Sequence, residues 1–418
     1  MDLKKLFIAS MVAFSMSAIA DTTGSYTMNG IEWTYSNRDD VAKTITLGGD
    51  GATTTEPKRA IGADTIVDAA TIPWMFKIGD EMYKVVRIGN YAFYKCTGLY
   101  GTITIPNHVT EIGKSAFNTV GSNDGNLYIS SLGGVTNINS YVFENAKLNQ
   151  GFPNLSRVTT YALNTFQNVP FTGAARISPL TSRLNNYFFL NSKNMAGVFC
   201  PGPATVTSGF QKNTIVGCAG FAKGATSCKV IFAGINTKTE NKLAGTMLDG
   251  VEDCTVFVPA STHWDGLVTG GVNNKVIYYG VSTNLDIVVN DDAKTITATP
   301  TDEIALADIL SSAPILKEVF GWNTYINVTN TIEVAADTIT AEMLSEVSFN
   351  SMLMTFKVKT QAQLDSVLAA VPQTSMLAID ATEAKVELVI PSDRALWVWL
   401  GGTGKYIPHI NGLTISFR

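Results

Sequence analysis

Three histidines, His108, His263 and His409, and five cysteines, Cys96, Cys200, Cys218, Cys228 and Cys254, are the residues of this 418-residue chain best suited to hold a metal or act as nucleophiles. The histidines are far apart, none sits in an H-E-x-x-H spacing, and no C-x-x-C pair exists, so neither a catalytic nor a structural zinc site is expected. Gly401-Gly402-Thr403-Gly404-Lys405 has the composition of a phosphate loop. It follows a strand pattern, but no helix pattern opens after it, so a tight hairpin turn is expected there. Asn290-Asp291-Asp292 and Asn123-Asp124-Gly125 each offer two or three oxygens, against the roughly 6–8 that calcium takes, and read as turns. A hydrolase would have to draw on Asp380, Glu383 and Glu387, whose spacing suggests a solvated edge. No catalytic residue, metal or cofactor is therefore expected. Trp397 and Trp399 share one face of an apolar strand, where they either stack on a ligand or pack in a core. Among the cysteines, Cys96 reads as a small buried residue, and Cys218–Cys228 or Cys200–Cys254 are possible pairs if the chain meets an oxidising compartment.

With so little reactive chemistry, the composition points to a scaffold. Apolar residues make up 45% and charged residues 16% of the chain, a balance that suits a strand-rich fold and excludes wholesale disorder. The formal net charge of −5, with no run of Lys or Arg, argues against a nucleic-acid surface. Residues 1–20 read as a signal peptide: Lys4 and Lys5 precede an apolar run from Leu6 to Ala18, and Ala18-Ile19-Ala20 supplies small residues for cleavage. The expected location is secreted, periplasmic or at the cell surface, with no transmembrane segment in the mature chain.

A self-match dominates the first half. Ile88-Gly89-Asn90-Tyr91-Ala92-Phe93 is echoed by Ile112-Gly113-Lys114-Ser115-Ala116-Phe117 and by Ile138-Asn139-Ser140-Tyr141-Val142-Phe143. Weaker copies are read at Val158–Leu163 and Leu184–Phe189. A second feature keeps step: Ile103-Thr104-Ile105-Pro106, Leu127-Tyr128-Ile129, Phe152-Pro153 and Ile177-Ser178-Pro179. Alternation over three or four residues followed by proline marks a short strand with one buried face. Each repeat thus predicts one strand, a turn and a return segment that carries Ile and Phe inward, and stacking the repeats pairs their strands in parallel. Ile88, Phe93, Ile112, Phe117, Ile138 and Phe143 are the expected structural core of the repeats.

The stretch from Val86 to Phe117, VRIGNYAFYKCTGLYGTITIPNHVTEIGKSAF, resembles the BspA-like leucine-rich repeats. Their pattern runs I-G-x-x-A-F-x-x-C-x-x-L and then I-x-I-P-x-x-V-T-x-I-G-x-x-A-F. The match takes in Ile88, Gly89, Ala92, Phe93, Cys96, Leu99, Ile103, Ile105, Pro106, Val109, Thr110, Ile112, Gly113, Ala116 and Phe117. The resemblance implies an extracellular solenoid used for attachment or recognition.

The fold class expected is a leucine-rich-repeat solenoid with a short parallel β-sheet, followed by a C-terminal α+β domain. A β-rich cap over residues 21–84, with a hairpin at Asn29-Gly30, covers the first coil. The solenoid covers 85–280, regular to about 200. Its later strands, Lys229–Phe232, Thr255–Pro259 and Lys275–Tyr279, belong to irregular final coils or to a separate β-domain from about 205. Residues 284–418 predict helices near 303–320, 340–347 and 361–370, with strands at Leu353–Val358, Val386–Ile390, Ala395–Leu400 and Leu413–Phe417.

If Ile103, Ile105, Leu127, Ile129 and Ile177 face inward, then Thr102, Thr104, Asn126, Tyr128 and Arg176 face outward in neighbouring rows. These five are the candidate partner-binding residues. The function read from the sequence is non-enzymatic recognition or adhesion outside the cell, with a protein or glycan partner. A passive envelope or matrix component is the alternative, and a hydrolase in the C-terminal region is a distant third.

Overall fold

The computed structural model describes residues 23–49, 51–122, 127–181, 187–201, 222–234, 248–260, 270–280 and 283–327, and beyond these only short pieces between 332 and 417. The leader expected at 1–20, the turn expected at Asn123-Asp124-Gly125, Cys218, His263, His409, Glu383, Glu387 and most of the helix expected near 340–347 lie outside the described residues.

Strands β1 (Gly24–Met28) and β2 (Ile31–Asp39) pair antiparallel across Asn29 and Gly30, whose φ values of 54° and 80° are those of a two-residue primed turn. Strand β3 (Thr44–Leu47) returns along β2; β4 (Val67–Asp68) opens a second, separate sheet. A second hairpin joins β5 (Met75–Ile78) to β6 (Glu81–Ile88), and β6 runs parallel to β3. Trp33, Tyr35, Phe76, Tyr83 and Val85 are buried between these strands and close the end of the repeat core. The antiparallel start passes without a break into a parallel ladder.

That ladder runs through β6, β8 (Glu111–Ile112), β10 (Asn137–Ile138) and β11 (Thr160–Tyr161), bringing Ile88, Ile112, Ile138 and Tyr161 into line. The opposite side of the coils carries β4, β7 (Leu99–Thr104) and β9 (Leu127–Ser131), also parallel. Each regular coil therefore has two strand positions, where the sequence suggests one strand and a return segment. Between them the motif around each Phe is tied to the next coil by main-chain bonds: Tyr91, Phe93 and Lys95 donate N–H to the carbonyls of Lys114, Ala116 and Asn118 at 2.9, 2.7 and 2.9 Å.

Ile88, Phe93, Ile112, Phe117, Ile138 and Phe143 are all fully buried. The rings of Phe93, Phe117, Phe143, Phe166 and Phe189 form one stacked column, with centroids 5.1, 5.6, 5.5 and 5.8 Å apart and planes within 11°. Offset stacking of this kind adds about 0.5–1.5 kcal/mol per pair to the area each ring buries.

The column corrects the fourth repeat. The sequence reading pairs Val158 with Leu163, but Leu163 is 40% exposed, while Tyr161 occupies the Ile138 position and Phe166 the Phe143 position. Val158 corresponds to Val109 and Val135, each of which folds back to the carbonyl three residues before it. The fourth coil also lacks the strand expected at Phe152-Pro153, where single bridges at Leu148, Gly151 and Leu155 replace it. Pro153 has no N–H to donate, and the ring of Phe152 packs against Phe166, Phe171 and Phe189.

A five-stranded parallel sheet follows: β12 (Gly173–Arg176), β13 (Met195–Cys200), β14 (Val230–Ala233), β15 (Thr255–Pro259) and β16 (Lys275–Tyr279). One face of this sheet continues the repeat core through Val198, Cys200, Ile231, Ala233, Val256 and Val258. The other face, with Phe199, Val230, Phe232, Phe257 and Ile277, lies in a second core. That core is completed by the hairpin of β17 (Leu285–Asn290) and β18 (Thr295–Pro300), by helix α1 (Glu303–Phe320) and by β19 (Asn323–Ile326). Asp302 caps α1 by accepting the Ala305 N–H at 2.8 Å, and Gly321 ends it at φ 74°. Helix and strand approach so closely that a Cβ on Gly197 would lie 2.7 Å from Val319. Beyond β19 the described pieces are mostly strands, among them Leu396–Leu400, paired parallel with Leu377–Asp380, and one further helix, Gln361–Ala370.

Candidate recognition surface

On β7 the chain alternates about a left-handed Gly101 at φ 82°, with a register shift after Ile103. Leu99 and Ile103 are buried, while Tyr100, Thr102 and Thr104 face away from the core. On β9, Leu127 and Ile129 are buried, and Tyr128 and Ser130 face out. The register sets Thr102 beside Tyr128, and the hydroxyls of Thr104 and Ser130 share a hydrogen bond of 2.7 Å. Tyr100 is 44% and Tyr128 41% exposed, high for side chains of this size. Of the residues expected to face outward, Thr102, Thr104 and Tyr128 thus share one sheet face, and Asn126 lies outside the described residues. The sequence reading missed Tyr100 and Ser130, although the same alternation reaches both.

The far edge of this small sheet is closed by a side chain. The Gln150 amide accepts the Ile129 N–H at 3.0 Å and donates to the Ile129 carbonyl at 2.8 Å, as a neighbouring peptide group would. The exposed face is thereby bounded at β9 and does not run on into β12.

Arg176 differs from the expectation. It points away from the repeat core but ends against the following elements. Its guanidinium pairs with Asp291 at 3.1 Å, donates to the Phe320 carbonyl at 2.7 Å and lies 5.8 Å from the centre of the Phe320 ring. The outward rows of the two sheets explain the difference. On β7 and β9 they are Tyr, Thr and Ser, whereas from β13 onward they are dominated by Phe199, Val230, Phe232, Phe257 and Ile277, which require a cover. Arg176 is a docking contact for that cover.

Asp291 also accepts from Trp322 Nε1 at 2.8 Å and from Lys294 at 3.0 Å, and Asn290 accepts from Ala293, so the side-chain oxygens of Asn290 and Asp291 serve the turn and its neighbours. Burial works against ionisation of Asp291, but the bonds from Trp322, Lys294 and Arg176 outweigh it and hold the carboxyl below its ordinary range. A depressed carboxyl pKa stabilises the fold fully above the unfolded value of about 3.9 and loses that contribution as pH falls through the folded value. The difference in thermal midpoint between the wild type and Asp291→Asn is therefore expected to be largest near neutrality and to shrink on acidification below about pH 4. A difference that grows on acidification would contradict the assignment.

Cys96, Cys228 and Cys254 are buried free thiols, Cys200 is buried with them, and burial pushes Cys96 up to about 12. Thr403–Ile407 is a strand paired with Leu396–Leu400, Leu400 standing opposite Thr403, which is the hairpin expected from the glycine run. Asp380 accepts the Thr382 N–H in a local turn. Among the described residues no three His, Cys, Asp or Glu side chains are grouped to hold a metal ion, and no helix is long and apolar enough to cross a membrane.

An open groove of about 400 Å³ lies beside the Phe motif, lined in part by Tyr91, Tyr94, Lys95, Lys114, Asn118 and Glu144. Burial raises the Glu144 carboxyl, partly offset by a 2.7 Å hydrogen bond from Asn118. Further along the same edge, Asn168 donates to Asn145 at 2.7 Å and Asn191 to Asn168 at 3.0 Å, a side-chain ladder across three coils.

Comparison with known proteins finds a repeat family that part of the chain matches. Residues 79–196 match the BspA type leucine rich repeat region in six copies. Solved structures with similarity include a leucine-rich repeat protein of Treponema pallidum, 17% identical, with 52% of this chain and 86% of that one covered and a TM-score of 0.37. A leucine-rich repeat protein from Bacteroides ovatus is 15% identical over 86% of this chain and 68% of its own, also with a TM-score of 0.37. A leucine rich cell surface protein from Faecalibacterium prausnitzii is 14% identical over 83% and 98%, with a TM-score of 0.36. No curated protein matches the sequence.

Proposed function

We propose, on the premise that residues 79–196 belong to the BspA-type leucine-rich repeats, that this chain is an exported, non-enzymatic recognition protein that presents a repeat surface to a protein or glycan partner. The observation that carries the proposal is the outward face of β7 and β9, where Tyr100 and Tyr128 stand exposed on a rigid parallel ladder among hydroxyls. Tyrosines are effective anchors because they offer a large amphipathic area with only two torsions to freeze. The covered face of β13 to β16 supports the same reading by contrast: the chain supplies a lid where the outward row is apolar and leaves the Tyr–Thr–Ser row open. The leader-like segment at 1–20 supports export.

The test is capture of extracellular proteins and glycans by the purified full chain and by a Tyr100→Ala/Tyr128→Ala variant. Loss of two central anchors is expected to weaken binding at least about tenfold, at about 1–2 kcal/mol or more per anchor. The thermal midpoint should fall by no more than a few degrees, because both rings lie outside the repeat core. Capture that is equal for both proteins would refute the assignment of this face. Absence of any capture, together with concentration-dependent self-association, would favour a passive envelope or matrix role.

A further inference from the structure

We infer that Cys228 and Cys254 form a disulfide between neighbouring coils when the chain folds in an oxidising compartment. The two residues stand just before β14 and β15, which run in parallel with Val230 opposite Thr255. The Cys228 thiol lies 3.9 Å from the Val230 carbonyl and the Cys254 thiol 3.8 Å from the Thr255 carbonyl, and because Val230 and Thr255 are register partners the two cysteines, one residue out of step, are diagonal neighbours at the start of adjacent strands. The neighbouring Cys228 thiol, and burial after it, hold the Cys254 thiol well above its ordinary range. Strands about 4.7–4.9 Å apart with a rise of about 3.3 Å per residue put diagonal neighbours about 6 Å apart, inside the Cα separation of about 4.4–6.8 Å that a disulfide spans. Both residues are free thiols in this structure. The sequence alone suggests Cys218–Cys228 or Cys200–Cys254; instead the coil stacking brings together Cys228 and Cys254.

The chemistry is ordinary thiol–disulfide exchange. One cysteine thiolate attacks the S–S bond of an oxidised thiol reagent, releasing one reduced thiol and leaving a mixed disulfide. The second cysteine, as its thiolate, displaces the other reagent sulfur. The pair loses two protons and two electrons in all, and the reagent disulfide becomes two thiols. Both side chains are almost wholly buried in the finished fold, so the exchange belongs to the period before this part of the solenoid closes. The biological setting rests on the export proposed above, whereas the bond itself is tested in vitro and independently of any ligand.

The full chain is unfolded and reduced, refolded in a mixture of oxidised and reduced glutathione, and then denatured for thiol titration and peptide mapping. The expected result is three titratable thiols of the five in the sequence and one linked peptide pair containing Cys228 and Cys254. Added reductant should lower the unfolding midpoint of the wild type and leave that of Cys228→Ser unmoved. Five free thiols, or a bridge through Cys96, Cys200 or Cys218, would overturn the inference. So would an equal response of the wild type and Cys228→Ser to reductant.

Discussion

Phe166→Ala is expected to destabilise the protein by about 3–5 kcal/mol, while Leu163→Ala, three residues earlier, should change stability by no more than about 0.5 kcal/mol. Phe166 is fully buried, stacked on Phe143 on one side and Phe189 on the other, with edge contacts to Phe171 and Phe188. Truncating it removes a ring from the middle of a column whose neighbours are held by their own main-chain bonds, since Phe143 donates to Thr165 at 3.1 Å and Phe166 to Phe188 at 3.1 Å. Those bonds resist collapse, so most of the cavity should persist, and the cost should lie toward the upper part of the range. Equilibrium urea unfolding of both variants reads the difference directly. Equal effects, or a larger effect at Leu163, would return the fourth coil to the register first read from the sequence.

Gly134→Ala should be nearly as damaging, at or above the top of the roughly 1–3 kcal/mol usual for overpacked sites. A Cβ on Gly134 would lie 1.9 Å from the Asn107 carbonyl oxygen and 3.1 Å from that of Val109, both main-chain atoms of the preceding coil. Main chain cannot rotate out of the way as a side chain can, so the coils would have to separate locally, straining the bond from the Ile105 N–H to the Ser131 carbonyl. Gly151→Ala is the matched control, because a Cβ there meets nothing within 4 Å. A midpoint shift for Gly134→Ala no larger than that for Gly151→Ala would show that the coils are not in contact at this point.

What could be read from the sequence follows from what each signal depends on. Ile88/Phe93, Ile112/Phe117 and Ile138/Phe143 were legible because the motif that contains them repeats nearly intact. The fourth copy was misread because hydrophobicity alone does not distinguish Val158 and Leu163 from Tyr161 and Phe166 at the same separation. A better signal was present. Each Phe motif is framed by two residues in the left-handed region, four positions apart: Tyr91 and Lys95, Ser115 and Thr119, Tyr141 and Asn145, Asn164 and Asn168, and Tyr187 and Asn191. Asparagine tolerates that conformation better than other non-glycine residues, so Asn164 and Asn168 mark the fourth motif in the sequence itself. Arg176 was misplaced for another reason. Its surroundings come from Asp291 and Phe320, more than a hundred residues later, and no local pattern encodes that docking. Its necessity was nevertheless visible in the runs Val230–Ala233 and Val256–Val258, which are apolar on both faces and so need cover on both.

The central claim is that successive coils share one interior and are tied together by main-chain bonds beside the phenylalanine column. Native-state hydrogen exchange tests it most directly at the amides of Phe93, Phe117, Phe143 and Phe166, each of which donates to the next coil. The account predicts that these four exchange only through opening of the repeat body as a unit, with protection close to the global unfolding free energy. Exchange at the rate of solvent-exposed loop amides, or four unrelated protection levels, would contradict it.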